Sequence, residues 1–153
     1  MALYLVQHGK SLPKDLDPER NLSEEGVSEV ERIAILAREY GIKISHIQHS
    51  GKKRAIQTAE IIASVLNPEG GTRQREGLDP LDDVVSIADG IEGGENLMLV
   101  GHLPFMERLA SYLITGTIER PVFKFQNGGI LCLYRDPELD SWVIRWALLP
   151  NID

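Results

Sequence analysis

Residues 3–11 read LYLVQHGKS, a short apolar run that stops at a histidine and a glycine. Leu3, Tyr4, Leu5 and Val6 have the aliphatic, aromatic and β-branched character of a buried strand, and the run is too short for a stable helix. Polarity begins at Gln7. In an open α/β sheet, ligands bind in the crevice beyond the carboxyl ends of the strands, so a strand ending in His8 delivers that side chain to the reactive edge. The pattern recurs at residues 96–102, NLMLVGH, where a second apolar strand ends in Gly101-His102, and His49 closes a weaker strand predicted over 44–49. In a parallel sheet such ends share one edge, and side chains distant in sequence can converge there.

Helical patterns separate these strands. Residues 11–22 carry two prolines and mixed charge and read as a loop. Ser23 is a good N-cap, Glu24 and Glu25 suit the positive end of a helix dipole, and Val27, Val30, Ile33, Ala34 and Ala37 recur at three- and four-residue spacing up to Gly41. A second helix is predicted over 52–66, with Ala55, Ile56, Ala59, Ile62, Ala63 and Leu66 as its apolar stripe and Asn67-Pro68 ending it. A polar, Gly-containing linker at 69–77 leads to a shorter helix over 82–91 with Val84, Val85, Ile87 and Ala88 inward, closed by Gly93-Gly94. Pro104 suits the first turn of a helix that continues from Phe105 to Ile114 and stops at Gly116. Strands at 130–134 and 142–148, joined by the turn-rich DPELDS, form an antiparallel edge hairpin, with Trp142 and Trp146 in the core. The expected architecture is a single-domain α/β three-layer sandwich over residues 1–153, with a mostly parallel sheet and helices on both faces.

Composition narrows the partners. The chain has 153 residues, enough for one sizeable core, with 42% hydrophobic and 25% charged residues. Lys and Arg number 16 against 23 Asp and Glu, for a net charge of −7. An acidic surface is a poor match for a phosphate backbone, so nucleic acid and acidic membranes are not expected as partners. Any anionic ligand requires the few basic groups to be gathered locally. Cys132 is the only cysteine, which rules out an intrachain disulfide. With no secretory leader pattern and no apolar run of membrane-spanning length, a cytoplasmic location is expected.

Two strand-end histidines and Arg54 suggest three chemistries. Two histidines without further cysteines or an H-x-x-x-H helix give a weak metal signature. A serine nucleophile lacks its G-x-S-x-G elbow, Ser50 in HSGK included. The third is phosphoryl transfer, in which a neutral imidazole attacks phosphorus while cationic and hydrogen-bonding neighbours stabilise the equatorial oxygens. His8, Arg54 and His102 offer one nucleophile and two donors. His46 and His49 read as structural, and Lys52 and Lys53 as peripheral charges.

The same residues resemble a known family. LVQHGKS is similar to the RHG signature of the histidine phosphatase superfamily, which includes the phosphoglycerate mutases, with Gln7 where the signature has arginine. SGKKRAIQTAE resembles the family's S-x-x-x-R-A-x-Q-T-A segment, LMLVGHLP its V-G-H segment, and LSEEG the L-T-x-x-G element opening the first helix. The short chain, without room for a large inserted cap, most resembles the SixA-type phosphohistidine phosphatases. The resemblance implies a phosphoglycerate mutase-like fold and a hydrolase that needs no metal or other cofactor. Its substrate would be a phosphohistidine-containing protein or a small phosphorylated molecule. It implies His8 as the transiently phosphorylated nucleophile, Arg54 and His102 as phosphoryl-binding groups, Gly9 as a position of close backbone approach, and Gln7, Lys10 and Gly101 as further substrate-binding residues.

Replacing the signature arginine by Gln7 removes one charge from the site, worth about 1–3 kcal/mol, and Lys10 lies close enough in sequence to supply it. Asp79, in Leu78-Asp79-Pro80, is the candidate general acid, whereas Asp82 or Asp83 suits a helix cap. Two other readings remain open at this point: a small-phosphoester phosphatase, and a catalytically silent phosphate- or phosphoprotein-binding module.

Overall fold

The computed structural model describes residues 2–91 and 96–152. Ten elements alternate as β1 (Ala2–Gln7), α1 (Glu24–Glu39), β2 (His46–His49), α2 (Lys53–Leu66), β3 (Thr72–Gln74), α3 (Val84–Asp89), β4 (Leu97–Gly101), α4 (Phe105–Thr115), β5 (Ile130–Asp136) and β6 (Ser141–Leu148). They form a single-domain α/β fold around one six-stranded sheet of order β3-β2-β4-β1-β5-β6. The pairs β1–β4, β4–β2 and β2–β3 are parallel, while β5 runs antiparallel to both β1 and β6. From β1 the chain steps outward to β2 and β3 and then returns to β4. Right-handed crossovers therefore put α1 and α2 on one face and α3 on the other.

The apolar runs are explained by burial on both sides of the sheet. Leu3, Leu5, Leu99, Leu131 and Leu133 pack with Val84 and Ile87 of α3 and Phe105, Met106 and Leu109 of α4. The alternate residues Tyr4, Val6, Met98, Val100, Ile130 and Cys132 pack with Val30, Ile33, Ala34 and Ala37 of α1 and Ala55, Ala59 and Ile62 of α2. Ser23 caps α1 by accepting from the Gly26 amide, and Asp83 caps α3 by accepting from the Val85 amide.

The structure departs from the sequence expectations in four places. The linker at 69–77 contains the edge strand β3, three residues long and mostly exposed, too short to show a period. The third helix covers Val84–Asp89 and is shorter than 82–91; the Gly93-Gly94 stop lies outside the described residues. Strand β2 begins at His46, and Ile44 is buried ahead of it. Finally, a register shift between β5 and β6 at Cys132/Leu133 reverses the alternation along β6. Trp142 therefore joins the α3/α4 side, and Trp146 packs on the α1/α2 side against Tyr4.

Candidate active site

Sheet register builds the centre of the site. Gln7 pairs with Gly101 at the carboxyl ends of β1 and β4, so the residues that follow, His8 and His102, emerge side by side with ring centroids 5.0 Å apart. His49 pairs with Val100, which brings Ser50, one residue on, beside His102. The Ser50 Oγ lies 2.6 Å from His102 Nε2 and also accepts from the Lys52 amide. Donation from the Ser50 hydroxyl to Nε2 would put the N–H of a neutral His102 on Nδ1. That Nδ1 is buried and has no protein partner among the described residues. His49 itself turns aside, its Nδ1 accepting from the Gly51 amide.

The His8 ring is fixed by the opposite tautomer. Its Nδ1 sits 2.7 Å from the Gly9 carbonyl oxygen, an acceptor only, so Nδ1 carries the proton and Nε2 the free lone pair. The His8 amide donates to the Gly101 carbonyl oxygen at 2.9 Å, and Asn127 Nδ2 donates to the His8 carbonyl oxygen at 2.9 Å. Burial pushes the His8 pKa down to about 4, with the Arg54 and Arg20 charges acting in the same direction against the Gly9 bond. His102 is held at about 3, first by burial and then by the charges of its neighbours. Both rings are neutral at physiological pH: one is a free base and the other a neutral donor.

Helix α2 contributes its first turns. Lys52 is the extended N-cap, Arg54 lies in the first turn, and Thr58 is fully buried one turn later. Thr58 Oγ1 accepts from the Gly9 amide at 2.9 Å and donates to the Arg54 carbonyl oxygen at 2.8 Å, tying the loop after β1 to the helix that carries the arginine. The resulting cavity has a volume of about 570 Å³. Its wall includes Gln7, His8, Arg20, Arg54, His102 and Asn127. Lys10, Ser11, Ser23, Glu25, Pro80 and Leu103 complete the lining.

The structure thus brings together Gln7, His8, Lys10, Arg54 and His102 from the sequence-based set. Lys10 is committed to Glu25 at 2.9 Å and Glu29 at 3.6 Å, so its charge is balanced within the protein. Asp79 is not in the cavity wall: its carboxylate is half exposed and lies 4.0 Å from Lys52 Nζ. Gly9 and Gly101 do not line the cavity either. A Cβ at Gly9 would come within 2.8 Å of Val30 Cγ2, and one at Gly101 within 2.6 Å of Met106 Cε, so helix packing on the two faces explains both glycines.

Sequence reasoning missed Arg20, Ser50 and Asn127. The available signals were an arginine just before the LSEEG element, a serine directly after a strand-end histidine, and the Asn127-Gly128-Gly129 turn ahead of β5. Among the described residues, no three His, Cys, Asp or Glu side chains are grouped so as to hold a metal ion.

The model of the histidine phosphatase superfamily (branch 1) matches residues 3–82, more than half of the chain. The protein belongs to that superfamily. Its fold is similar to that of the protein histidine phosphatase SixA complexed with tungstate, with a TM-score of 0.81 at 24% identity over 98% of this chain and 97% of that one. A phosphohistidine phosphatase SixA homologue from Agrobacterium tumefaciens superposes with a TM-score of 0.77 at 24% identity, over 97% of each chain. A phosphoserine phosphatase from Entamoeba histolytica in complex with 3-phosphoglyceric acid gives 0.69 at 14% identity, over 95% of each chain. No curated protein matches the chain at a significant level.

Proposed function

We propose that the chain, as one histidine phosphatase domain over residues 1–153, is a cytoplasmic phosphatase that removes the phosphoryl group from phosphohistidine proteins through a covalent phosphohistidine on His8. The observation that carries this reading is the free Nε2 of a neutral, buried His8 in the wall of a cavity that Arg54 and His102 also line. The Nε2 lone pair attacks phosphorus as the P–N bond to the substrate imidazole breaks, and that imidazole departs with the electron pair and takes a proton from solvent. Water then attacks the phosphoryl group on His8, and the Nε2 lone pair is restored as phosphate leaves. Arg54 and His102 donate to the equatorial oxygens in both steps.

The carboxylates support the choice of leaving group. Glu25 is the only carboxylate in the cavity wall among the described residues, and it is engaged by Lys10. An alkoxide leaving group needs a proton donor in the site, whereas the departing imidazole takes its proton from solvent. That the similar SixA structure is a complex with tungstate, an oxyanion, supports an anion site in this fold. A free, buried Cys132 suits a reducing compartment, and no helix among the described residues is long and apolar enough to cross a membrane.

Turnover of a phosphohistidine-containing phosphocarrier protein, compared with that of an aryl phosphate, tests the assignment. Faster release from the phosphohistidine protein, abolished by His8→Ala, is expected. Preference for the aryl phosphate would assign a small-phosphoester phosphatase, and phosphate binding without turnover of either substrate would assign a silent binding module.

A further inference from the structure

Two arginines share the wall of the cavity, and neither has a carboxylate partner among the described residues. Arg54 was expected; Arg20 was not. The Nε atoms of both are buried without a hydrogen-bond acceptor. Like charges left facing one cavity repel each other, and the arrangement becomes favourable when an anion lies between them. The other cation in the wall, Lys10, is bound to Glu25 and Glu29.

Arg20 is held there by construction. Its backbone takes the left-handed conformation at φ 53°, unusual for a residue with a side chain. The Asp17 carboxylate accepts from the Glu19 amide at 3.0 Å, the Asn21 amide at 3.0 Å and Asn21 Nδ2 at 2.7 Å, while the Arg20 amide donates to the Asp17 carbonyl oxygen at 2.9 Å. On the far side, Gln57 Oε1 accepts from the Leu22 amide and Gln57 Nε2 donates to Asn21 Oδ1, both at 2.8 Å. Gln57 lies three residues after Arg54 on α2, so one helix presents the first guanidinium and anchors the loop that presents the second. The charge of Arg20 also acts on His8, Arg54 and His102, lowering the pKa of each.

We infer that Arg20 is the second guanidinium of the anion site, supplying the charge that Gln7 lacks. The inference rests on the phosphatase reading and deepens it: charge lost at the strand end is provided by the loop before α1. Gln7, whose Oε1 is buried without a donor, lies in the same wall.

Calorimetric titration with inorganic phosphate at fixed ionic strength, on wild type, Arg20→Ala, Arg20→Lys and the double variant Arg20→Ala/Gln7→Arg, tests it. Loss of a charge-assisted contact predicts roughly 10- to 100-fold weaker binding in Arg20→Ala. Partial retention in Arg20→Lys and recovery of about tenfold or more in the double variant are expected, because the guanidinium returns at the strand end. Arg20→Ala binding within about twofold of wild type overturns the inference alone. A loss in Arg20→Ala that is neither spared in Arg20→Lys nor recovered by adding Gln7→Arg assigns Arg20 to holding the loop and also overturns it. Failure of the wild type to bind phosphate overturns the phosphatase reading, and the inference with it.

Discussion

A histidine that attacks as a free base must be unprotonated, and two features of this chain ensure it. The Gly9 carbonyl oxygen takes the Nδ1 proton and leaves Nε2 with its lone pair, and burial lowers the His8 pKa to about 4. Because the shift is downward, the neutral, reactive form persists from high pH to well below the ordinary histidine value near 6.5 and is lost only as pH falls through about 4. The pH profile of kcat/KM on a phosphohistidine protein is therefore expected to show no acid-side inflection near 6.5, with the fall beginning below about pH 5. An inflection near 6.5 in a protein still folded at that pH would mean His8 is not desolvated as described. His102 is neutral for a similar physical reason, and its Nε2 is engaged by the Ser50 hydroxyl. The two histidines were legible in the sequence because each ends an apolar run. Their tautomers were not, since these depend on a carbonyl and a hydroxyl placed by the fold.

At the scale of elements, α2 organises the site. Its first turn presents Arg54, Gln57 anchors the loop around Arg20, and Thr58 joins the backbone of Gly9 to that of Arg54. Thr58→Val keeps the shape but leaves the buried Gly9 amide unpaired. Denaturant unfolding should show a loss of about 1–3 kcal/mol in a midpoint shift at unchanged slope, with reduced kcat. A change below about 0.5 kcal/mol would show that water replaces the hydroxyl and that the bridge is unimportant. The helix itself was readable from its apolar stripe and Asn67-Pro68 stop, but the inward polar residues Gln57 and Thr58 interrupt that stripe and carry no periodic signal. Arg20 was hidden for a related reason: its direction comes from a left-handed backbone held by Asp17 and by Gln57, and the bond from Gln57 reaches across 35 residues of sequence. The same limit applies to β6, where one register shift sends Trp142 and Trp146 to opposite faces despite their four-residue spacing.

Across the whole molecule, the sheet acts as a ruler. Buried on both faces, its central strands show as continuous apolar segments, and this made the α/β class legible along with the shared edge where His8 and His102 emerge. What the sequence did not display is strand order. The adjacency of β1 and β4, in register from Leu3–Leu97 to Gln7–Gly101, is what turns two distant histidines into neighbours. Core packing against α1 and α4 then fixes Gly9 and Gly101, so these glycines serve the site by letting helices close on the strand ends. The fold, on this reading, holds one imidazole nitrogen free opposite two guanidiniums. Rapid mixing with a radiolabelled phosphohistidine protein, followed by an alkaline quench and peptide mapping, measures the reactivity of that nitrogen directly. An alkali-stable, acid-labile label on the peptide containing His8, absent in His8→Ala, is the predicted result; label retained in His8→Ala, or turnover by wild type with no label at His8, would contradict it.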